Sequence, residues 1–211
     1  MKTRIKICGL TRLEDARYCA ASGADYLGFI LAEDSPRRIT PDLAREIVGW
    51  VYGPLTVGVF RNAESAFVNQ IAEQVGFDLV QLHGNESPEY CRAINAPVIK
   101  AISVSDEMTG DALMREVARY SESVQHVLLD TSVGGASGGT GVTFDWGVAS
   151  SVVDSGSTFV AGGLSPLNVA TVIDQLKPFA VDVSSGVEES PGIKSFDKVA
   201  ALFDAINDRR A

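Results

Sequence analysis

Two short segments near opposite ends of the chain carry residues that could do chemistry. Cys8 lies in the run KICGLT (6–11), at the end of an apolar segment. A thiol there is either a packing residue or a catalytic group at the edge of a sheet, and a nearby cation or helix N-terminus would favour its thiolate form. The run DVSSGVE (182–188) contains a Ser/Gly turn whose backbone amides can bind phosphate. The candidate phosphate-binding residues of this turn are Ser184, Ser185 and Gly186.

A second ionisable candidate, Asp130, ends the apolar run His126–Asp130 and precedes a glycine-rich segment. Its carboxylate either caps the local turn or takes part in chemistry. Five of the residues in 131–141 are glycine, and a segment of such small residues can close over a substrate and exclude water. We therefore predict a lid directly after Asp130.

Other candidates follow further apolar runs. Gly162 and Gly163 form either a tight turn or, together with the turn Ser184–Gly186, a phosphate site built from backbone amides. Arg37 has the planar fork that suits two-point contact with a carboxylate or a phosphate. His83 is placed either to shuttle a proton or to hydrogen-bond a neighbouring loop.

Composition restricts the class of protein. The 211 residues are 45% hydrophobic and 21% charged, which is ordinary for a soluble globular domain. The net charge of −9 argues against nucleic acid as the main partner but permits a small anionic substrate. We expect no membrane partner, because the chain has neither an apolar run of about 18 residues nor a signal-peptide pattern. The three cysteines show no disulfide or metal-binding spacing, which fits a reducing cytoplasm.

Eight short apolar runs alternate with helix-like segments along the chain. Strands of a parallel sheet that is buried on both faces are apolar throughout, as these runs are. The predicted strands are Arg4–Cys8, Tyr26–Ile30, Leu55–Phe60, Leu79–Leu82, Val98–Ile102, His126–Asp130, Thr158–Ala161 and Ala180–Val183. Eight strand–helix units favour a single-domain (β/α)8 TIM barrel over residues 1–211. The alternative is an open doubly wound sheet, which would carry GxGxxG after its first strand, where this chain has Gly9-Leu10-Thr11.

Local signals place several helix ends. Thr11 and Glu14 have the spacing of a capping box. Thr40-Pro41 and Ser165-Pro166 each have the pattern of an N-cap followed by proline at the first helical position. We further predict helix ends at Ser22-Gly23 and Gly76, and helices over residues 107–120, 145–151 and 194–207.

In a (β/α)8 barrel the active site lies at the carboxyl ends of the strands. Cys8, His83 and Asp130 all fall at such ends, together with both glycine-bearing turns. This combination of a thiol, a carboxylate, a basic residue and two glycine-bearing turns indicates an enzyme. His126 lies at the opposite end of its strand and is predicted to be structural, and Cys19 and Cys91 are predicted to pack on helices.

Together these residues resemble the phosphoribosylanthranilate isomerase family of tryptophan biosynthesis. The resemblance runs over nearly the whole chain, through eight motifs in order. They are KICGLT at 6–11, GADYLGFI at 23–30, SPRRI at 35–39, VGVF at 57–60, VQLHG at 80–84, LLDT with the glycine-rich segment and FDW at 128–146, AGGLSPLNV at 161–169, and FAVDVSSGVEESPGIK at 179–194.

The resemblance implies an Amadori rearrangement of N-(5'-phosphoribosyl)anthranilate into the corresponding aminoketose, without metal or cofactor. It implies that Cys8 is the general base and Asp130 the general acid. Desolvation under a lid would raise the pKa of Asp130, and helix N-termini would lower the pKa of Cys8. We expect a cytoplasmic protein that is a monomer or a weak homodimer.

The resemblance also assigns binding roles. Arg37 would hold the anthranilate carboxylate, Asp182 would contact the ribose hydroxyls, and His83 would contact the substrate. The phosphate would be held by Gly162, Gly163, Ser184, Ser185 and Gly186. The segment 31–34 is more acidic than the apolar stretch typical of the family, so it leaves the wall of the anthranilate pocket less well defined.

Three other functions remain open from the residues. The first is another phosphosugar-handling barrel, such as a ribulose-phosphate epimerase or another tryptophan-pathway barrel. An epimerase would need metal-ligand histidines at strand ends, and the chain has two histidines in all. An isomerase that also accepts a histidine-pathway aminoaldose usually has aspartate in place of Cys8. A phosphate-binding barrel without catalysis is opposed by the presence of both Cys8 and Asp130.

Overall fold

Eight parallel strands close into a barrel in the order in which they occur along the chain. The computed structural model describes residues 2–105, 107–130, 147–153 and 157–207. The strands are β1 Arg4–Cys8, β2 Tyr26–Ile30, β3 Leu55–Phe60, β4 Leu79–Leu82, β5 Val98–Ser103, β6 His126–Asp130, β7 Thr158–Ala161 and β8 Ala180–Val183. This barrel confirms the predicted fold class and excludes the open sheet, because β1 pairs with both β2 and β8.

Helices surround the barrel and follow each strand in turn. They are α1 Leu13–Ala21, α2 Pro41–Val48, α3 Ser65–Val75, α4 Pro88–Arg92, α5 Gly110–Tyr120, α6 Gly147–Val153, α7 Val169–Leu176 and α8 Phe196–Asn207. Between β8 and α8 the chain forms a 3₁₀ turn, Ser185–Val187, and a short antiparallel hairpin of β9 Glu188–Ser190 and β10 Ile193–Lys194. This hairpin has no strong strand pattern in the sequence and was not predicted.

Side chains of each strand alternate between the helical layer and the barrel interior. Ile5 and Ile7 of β1 belong to the core cluster shared with the helices. The positions between and beside them, Lys6 and Cys8, therefore face the interior. The lower part of the interior is apolar and contains Tyr26 and Phe159, whose rings meet edge to face.

The predicted strands agree with the observed ones, apart from one extra residue at the end of β5. Thr40 caps α2 as predicted, since its hydroxyl accepts a hydrogen bond from the Leu43 amide at 3.4 Å and Pro41 is the first helical residue. Gly76 ends α3 in the left-handed region, with φ of 81°. These features were predictable because each depends on neighbours in the sequence.

Some predicted helix starts were wrong. The predicted capping box is wrong, because Arg12 occupies the N-cap position of α1 and makes no side-chain capping bond. The Thr11 hydroxyl instead donates to the Gly192 carbonyl at 2.5 Å. Ser165 does not cap α7, whose N-cap is Asn168; these two residues form a local turn in which the Ser165 amide donates to Asn168. The helices predicted from residues 107 and 194 begin later, at Gly110 and Phe196.

Other predictions concern the cysteines, His126 and the segment after β6. Cys19 and Cys91 are buried and unpaired, as predicted. His126 packs between aromatic rings at the amino end of β6, and its Nδ1 lies 3.1 Å from the Ser157 carbonyl. Residues 131–146, on which the predicted lid and the FDW motif fall, lie outside the described residues. Within the described part of the chain, no helix combines the length and the apolar character that crossing a membrane would need.

Candidate active site

The carboxyl ends of the strands form one end of the barrel, here called the mouth. Cys8 ends β1 there with 5% of its surface exposed. Two residues earlier on the same face, the Lys6 Nζ lies 2.8 Å from Asp182 Oδ2 of β8. Both partners are buried, and they are direct neighbours in the β1–β8 register. An ammonium group thus lies within the barrel beneath the thiol.

The environment of Cys8 does not activate the thiol in the way that was predicted. Burial raises the pKa of Cys8, and the positive charge of Lys6 offsets only part of this increase. Burial also disfavours the charged form of Lys6, but the carboxylate of Asp182 overcomes that penalty and raises the pKa of the lysine. The helix α1 begins only at Leu13, so its N-terminus does not directly follow Cys8. Desolvation therefore exceeds the local positive charge.

Asp130 is part of a hydrogen-bonded chain of three side chains. His83 follows β4 at the mouth, and its Nε2 lies 3.1 Å from Asp130 Oδ2. Its other ring nitrogen, Nδ1, lies 3.0 Å from Nε2 of Gln81, which is buried within β4. The structure thus places Asp130 and His83 at the mouth, where both strand ends were predicted to lie. Their contact with each other and with Gln81 was not predicted.

Arg37 makes a two-point contact, but with a residue of this chain. Its Nε and Nη2 donate to the carboxylate of Glu188 on β9, at distances of 2.8 Å and 2.7 Å. The hydrogen bonds that Arg37 donates to Glu188 raise the pKa of Arg37. The Arg37 side chain lies over Gly9, because a Cβ at Gly9 would be 2.7 Å from Arg37 Cδ. The guanidinium is therefore held next to the Cys8 loop, with Nη1 outside this ion pair.

Lys194 of β10 joins three parts of the mouth. Its Nζ donates to the Cys8 carbonyl at 2.6 Å, to the Ser184 carbonyl at 3.2 Å and to Glu188 Oε1 at 2.9 Å. Burial favours the neutral form of Glu188, but the hydrogen bonds from Arg37 and Lys194 outweigh it and lower the pKa of that carboxyl. The hairpin 188–194 therefore connects the ends of β1 and β8 to Arg37.

The two predicted phosphate-binding turns lie against each other. Gly162 and Gly163 follow β7 with φ of 101° and 61°, the left-handed region that favours glycine. A Cβ at Gly186 would overlap the carbonyl oxygen of Leu164, so the turn after β8 packs directly on the turn after β7. Ser184 and Ser185 begin the turn after β8 and its 3₁₀ helix. Adjacent turns of this kind present backbone amides to an anion.

Two polar atoms at this end of β8 are buried without a hydrogen-bond partner among the described residues. They are Asp182 Oδ1, whose other oxygen pairs with Lys6, and the Ser184 hydroxyl. An unpartnered buried oxygen is costly unless a ligand or water bonds to it. Both atoms are therefore suited to bind a polar ligand.

Four residues of the site escaped the sequence analysis: Lys6, Gln81, Glu188 and Lys194. Lys6 and Gln81 had a usable signal, since a polar side chain in the middle of an apolar strand must have a partner inside the protein. Glu188 and Lys194 had none, because their roles depend on a hairpin with no strong strand pattern. The acidic residues of 31–34 belong to the rim, where Asp34 pairs with Arg61 at 2.7 Å.

Within the described ranges, no group of three or more His, Cys, Asp or Glu side chains is arranged to hold a metal ion. The site consists of a thiol, a carboxylate with a histidine partner, a fixed guanidinium and two apposed turns. Such a set can transfer protons while binding an anion at each end of a small molecule.

Comparison with known proteins gives a consistent result. The family model described as N-(5'phosphoribosyl)anthranilate (PRA) isomerase matches residues 5–205. The chain is 45% identical over 197 residues to the N-(5'-phosphoribosyl)anthranilate isomerase of Geobacter sulfurreducens, and the match covers 93% of this chain and 94% of that protein.

Solved structures agree with the sequence comparison. The phosphoribosyl anthranilate isomerase of Thermotoga maritima superposes with a TM-score of 0.89 at 40% identity, over 98% of this chain and 99% of that one. A phosphoribosyl anthranilate isomerase in complex with reduced 1-(o-carboxyphenylamino)-1-deoxyribulose 5-phosphate gives 0.83 at 38% identity, again over 98% and 99%. From the fold, the site and these matches, the chain belongs to the N-(5'-phosphoribosyl)anthranilate isomerase family.

Proposed function

We propose that this chain converts N-(5'-phosphoribosyl)anthranilate into 1-(2-carboxyphenylamino)-1-deoxyribulose 5-phosphate, an isomerase step of tryptophan biosynthesis. One observation carries the proposal: the thiol of Cys8, the carboxylate of Asp130 and the two apposed turns occur at one mouth of the barrel. The solved relative that binds a reduced form of this product supports the same assignment.

The reaction requires two proton transfers. Asp130, as general acid, protonates the furanose ring oxygen, so that the C1'–O bond breaks and a protonated Schiff base forms between C1' and the anthranilate nitrogen. Cys8, as thiolate, removes the proton from C2'. The electron pair of that C–H bond forms the C1'–C2' double bond of an enolamine, and the Schiff-base electrons return to nitrogen. The enolamine becomes the ketone when its hydroxyl proton is lost and C1' gains a proton. Solvent then accepts the proton that Cys8 took up and returns one to Asp130, so that both groups regain their starting forms.

The other residues bind and orient the substrate. The phosphate is assigned to the turns of Gly162, Gly163 and Ser184–Gly186, whose left-handed and closely packed backbone admits an oxyanion. Arg37 is assigned to the anthranilate carboxylate, which would bind the edge of the guanidinium that Glu188 leaves open.

The middle of the substrate is assigned to two further residues. The unpartnered Oδ1 of Asp182 suits a ribose hydroxyl donor. His83 contacts Asp130 and is partly exposed at the mouth, which suits a residue that touches the sugar. These contacts would hold the sugar in the middle of the site, between the turns assigned to the phosphate and the Arg37 guanidinium assigned to the anthranilate carboxylate.

A turnover assay tests the proposed function directly. Purified protein should remove the fluorescence of phosphoribosylanthranilate, and a Cys8→Ala variant should not do so at a comparable rate. The absence of turnover by folded wild-type protein would contradict the proposal. A phosphorylated histidine-pathway aminoaldose, with substrate and product separated by chromatography, tests the second substrate, and we expect no conversion.

The expectations for the whole chain are part of the proposal. We expect residues 1–211 to unfold as one domain, with the same transition by circular dichroism and by tryptophan fluorescence. In light scattering, a monomer should keep the mass of one chain at every concentration, whereas a weak homodimer should fall towards that mass on dilution. A cytoplasmic location would be tested by fractionating the source cells.

A further inference from the structure

The amide of Gln81 and the carboxylate of Asp130 contact opposite nitrogens of the His83 ring. Gln81 is 1% exposed, whereas the His83 side chain is 35% exposed and that of Asp130 is 18% exposed. The chain of contacts therefore runs from the closed interior of the barrel to its mouth. Its two links measure 3.0 Å and 3.1 Å.

The observed orientation of the amide fits an ionised Asp130. The Gln81 Nε2–H group donates to His83 Nδ1, so a neutral imidazole carries its proton on Nε2. That Nε2–H group then donates to Asp130 Oδ2. A donor facing a carboxyl group favours the ionised carboxylate.

The reversed orientation fits a protonated Asp130. If the amide turns by half a rotation, Gln81 Oε1 accepts from His83 Nδ1–H, and Nε2 becomes an acceptor for the acid proton of Asp130. No second hydrogen bond among the described residues fixes the amide in the present orientation, because Gln81 Oε1 is buried there without a hydrogen-bond partner. Each orientation therefore uses one amide group and leaves the other without a partner.

We propose that Gln81 is a positioning residue that sets which nitrogen of His83 carries the proton, and that its amide reverses as Asp130 loses and regains a proton. The inference rests on the proposed role of Asp130 as general acid. A general acid must be stable in both forms during turnover. A fixed donor would hold it as a carboxylate and a fixed acceptor would hold it as an acid, whereas the Gln81–His83 pair serves both.

Most other charged groups at the mouth have their own partners. Lys6 pairs with Asp182, Arg37 with Glu188, and Arg61 after β3 with Asp34. The register neighbours of Asp130 are uncharged, Ser103 on β5 and Ala161 on β7. Cys8 on β1 is a further titrating group, so the measurements below are repeated in a Cys8→Ala background where turnover is not needed.

Nitrogen NMR of histidine-labelled protein tests the inference without any need for activity. The chain contains two histidines, and His126 is an internal reference because its Nδ1 faces a carbonyl oxygen and must carry the proton. At a pH where the nitrogen shifts show a neutral ring, His83 should carry its proton on Nε2 in the wild type. In Gln81→Glu it should carry a proton on Nδ1, because a carboxylate only accepts.

Two variants of similar size should move the pH profile in opposite directions. Gln81→Glu retains a proton within the His83–Asp130 pair, so the alkaline limb of kcat should move up by about one pH unit. Gln81→Met offers no acceptor for the Nδ1–H group, so His83 should keep its proton on Nε2. The alkaline limb of kcat should therefore move to lower pH. A merely structural role would lower kcat equally at every pH.

The inference is overturned if His83 carries its proton on Nε2 in both the wild type and Gln81→Glu, or if both variants move the limb in the same direction or not at all. If Gln81→Glu does not fold, Gln81→Met decides through the direction of its shift. Failure of the proposed function would look different, since wild-type protein would then lack turnover while the NMR result would still stand.

Discussion

Lys6 and Asp182 join the first and last strands of the barrel through an ion pair of 2.8 Å that is buried inside it. The pair occupies facing register positions, two residues below Cys8 and two residues below Ser184. Closure of the barrel thus places one buried cation beneath the proposed base and one buried carboxylate beneath the proposed phosphate turn. The stability of the barrel and the chemistry of its mouth meet at this contact.

Removal of one partner should destabilise the protein. In Lys6→Met, the Asp182 carboxylate is left buried without its cation, which should lower the free energy of unfolding by about 3–5 kcal/mol. Urea denaturation followed by circular dichroism measures the change. In the double variant Lys6→Met with Asp182→Leu no charge is left buried, so it should recover most of the loss; equal stability of the two variants would contradict this account.

The proposed proton-transfer groups should be essential for turnover. Cys8→Ala and Asp130→Asn should each reduce kcat by at least about 10²-fold, the lower range for a general acid or base. Steady-state fluorescence kinetics measure the effect. Cys19→Ala is the matched control, since Cys19 is equally buried but lies on α1. Near-normal kcat in either site variant would remove that residue from the mechanism.

Burial of Cys8 should be visible in the pH dependence of activity. Because burial raises the pKa of the thiol above its ordinary value of 9.0, the thiolate fraction should increase with pH throughout the neutral range. We therefore expect the inflection of kcat/KM that Cys8 sets to lie at pH 9 or above. Cys8→Asp supplies a base that is already ionised at neutral pH, so the corresponding inflection of kcat/KM should occur at lower pH. Identical pH profiles of kcat/KM for the wild type and Cys8→Asp would show that Cys8 does not set this inflection.

Arg37 should act mainly in binding. Arg37→Ala should raise KM with little change in kcat, and Glu188→Gln should give a smaller effect in the same direction, because it loosens the guanidinium without removing it. The control ligand is a product analogue that lacks the ring carboxylate. Neither Arg37→Ala nor Glu188→Gln should alter the inhibition constant of this analogue. A fall in kcat at constant KM would instead place Arg37 in the transition state.

The contact between the two turns should be sensitive to a single methyl group. Gly186→Ala places a Cβ on the Leu164 carbonyl and must separate the turns. KM for the phosphorylated substrate should rise by about tenfold or more, which corresponds to the loss of one good hydrogen bond to a charged group. Inhibition by inorganic phosphate should weaken in parallel. Gly49→Ala is the control, because a Cβ there meets its nearest atom at 3.4 Å.

The sequence by itself determined the eight strands, the closed barrel and the strand ends at which Cys8, His83 and Asp130 lie. These features depend on local patterns: runs of apolar residues, glycine at helix ends and a proline after a capping threonine. The same local reasoning failed at Thr11, because a contact with Gly192, 181 residues away in the chain, replaced the expected cap.

Only the tertiary structure decided how the site residues are held. Arg37 and Glu188 are 151 residues apart in the chain, and Lys6 and Asp182 are 176 residues apart, so no local pattern could pair them. The same holds for the pKa of Cys8, which rises because the closed barrel removes water from the thiol more effectively than Lys6 compensates. Sequence patterns report what each segment prefers, whereas desolvation and pairing depend on what the other segments bring to the same place.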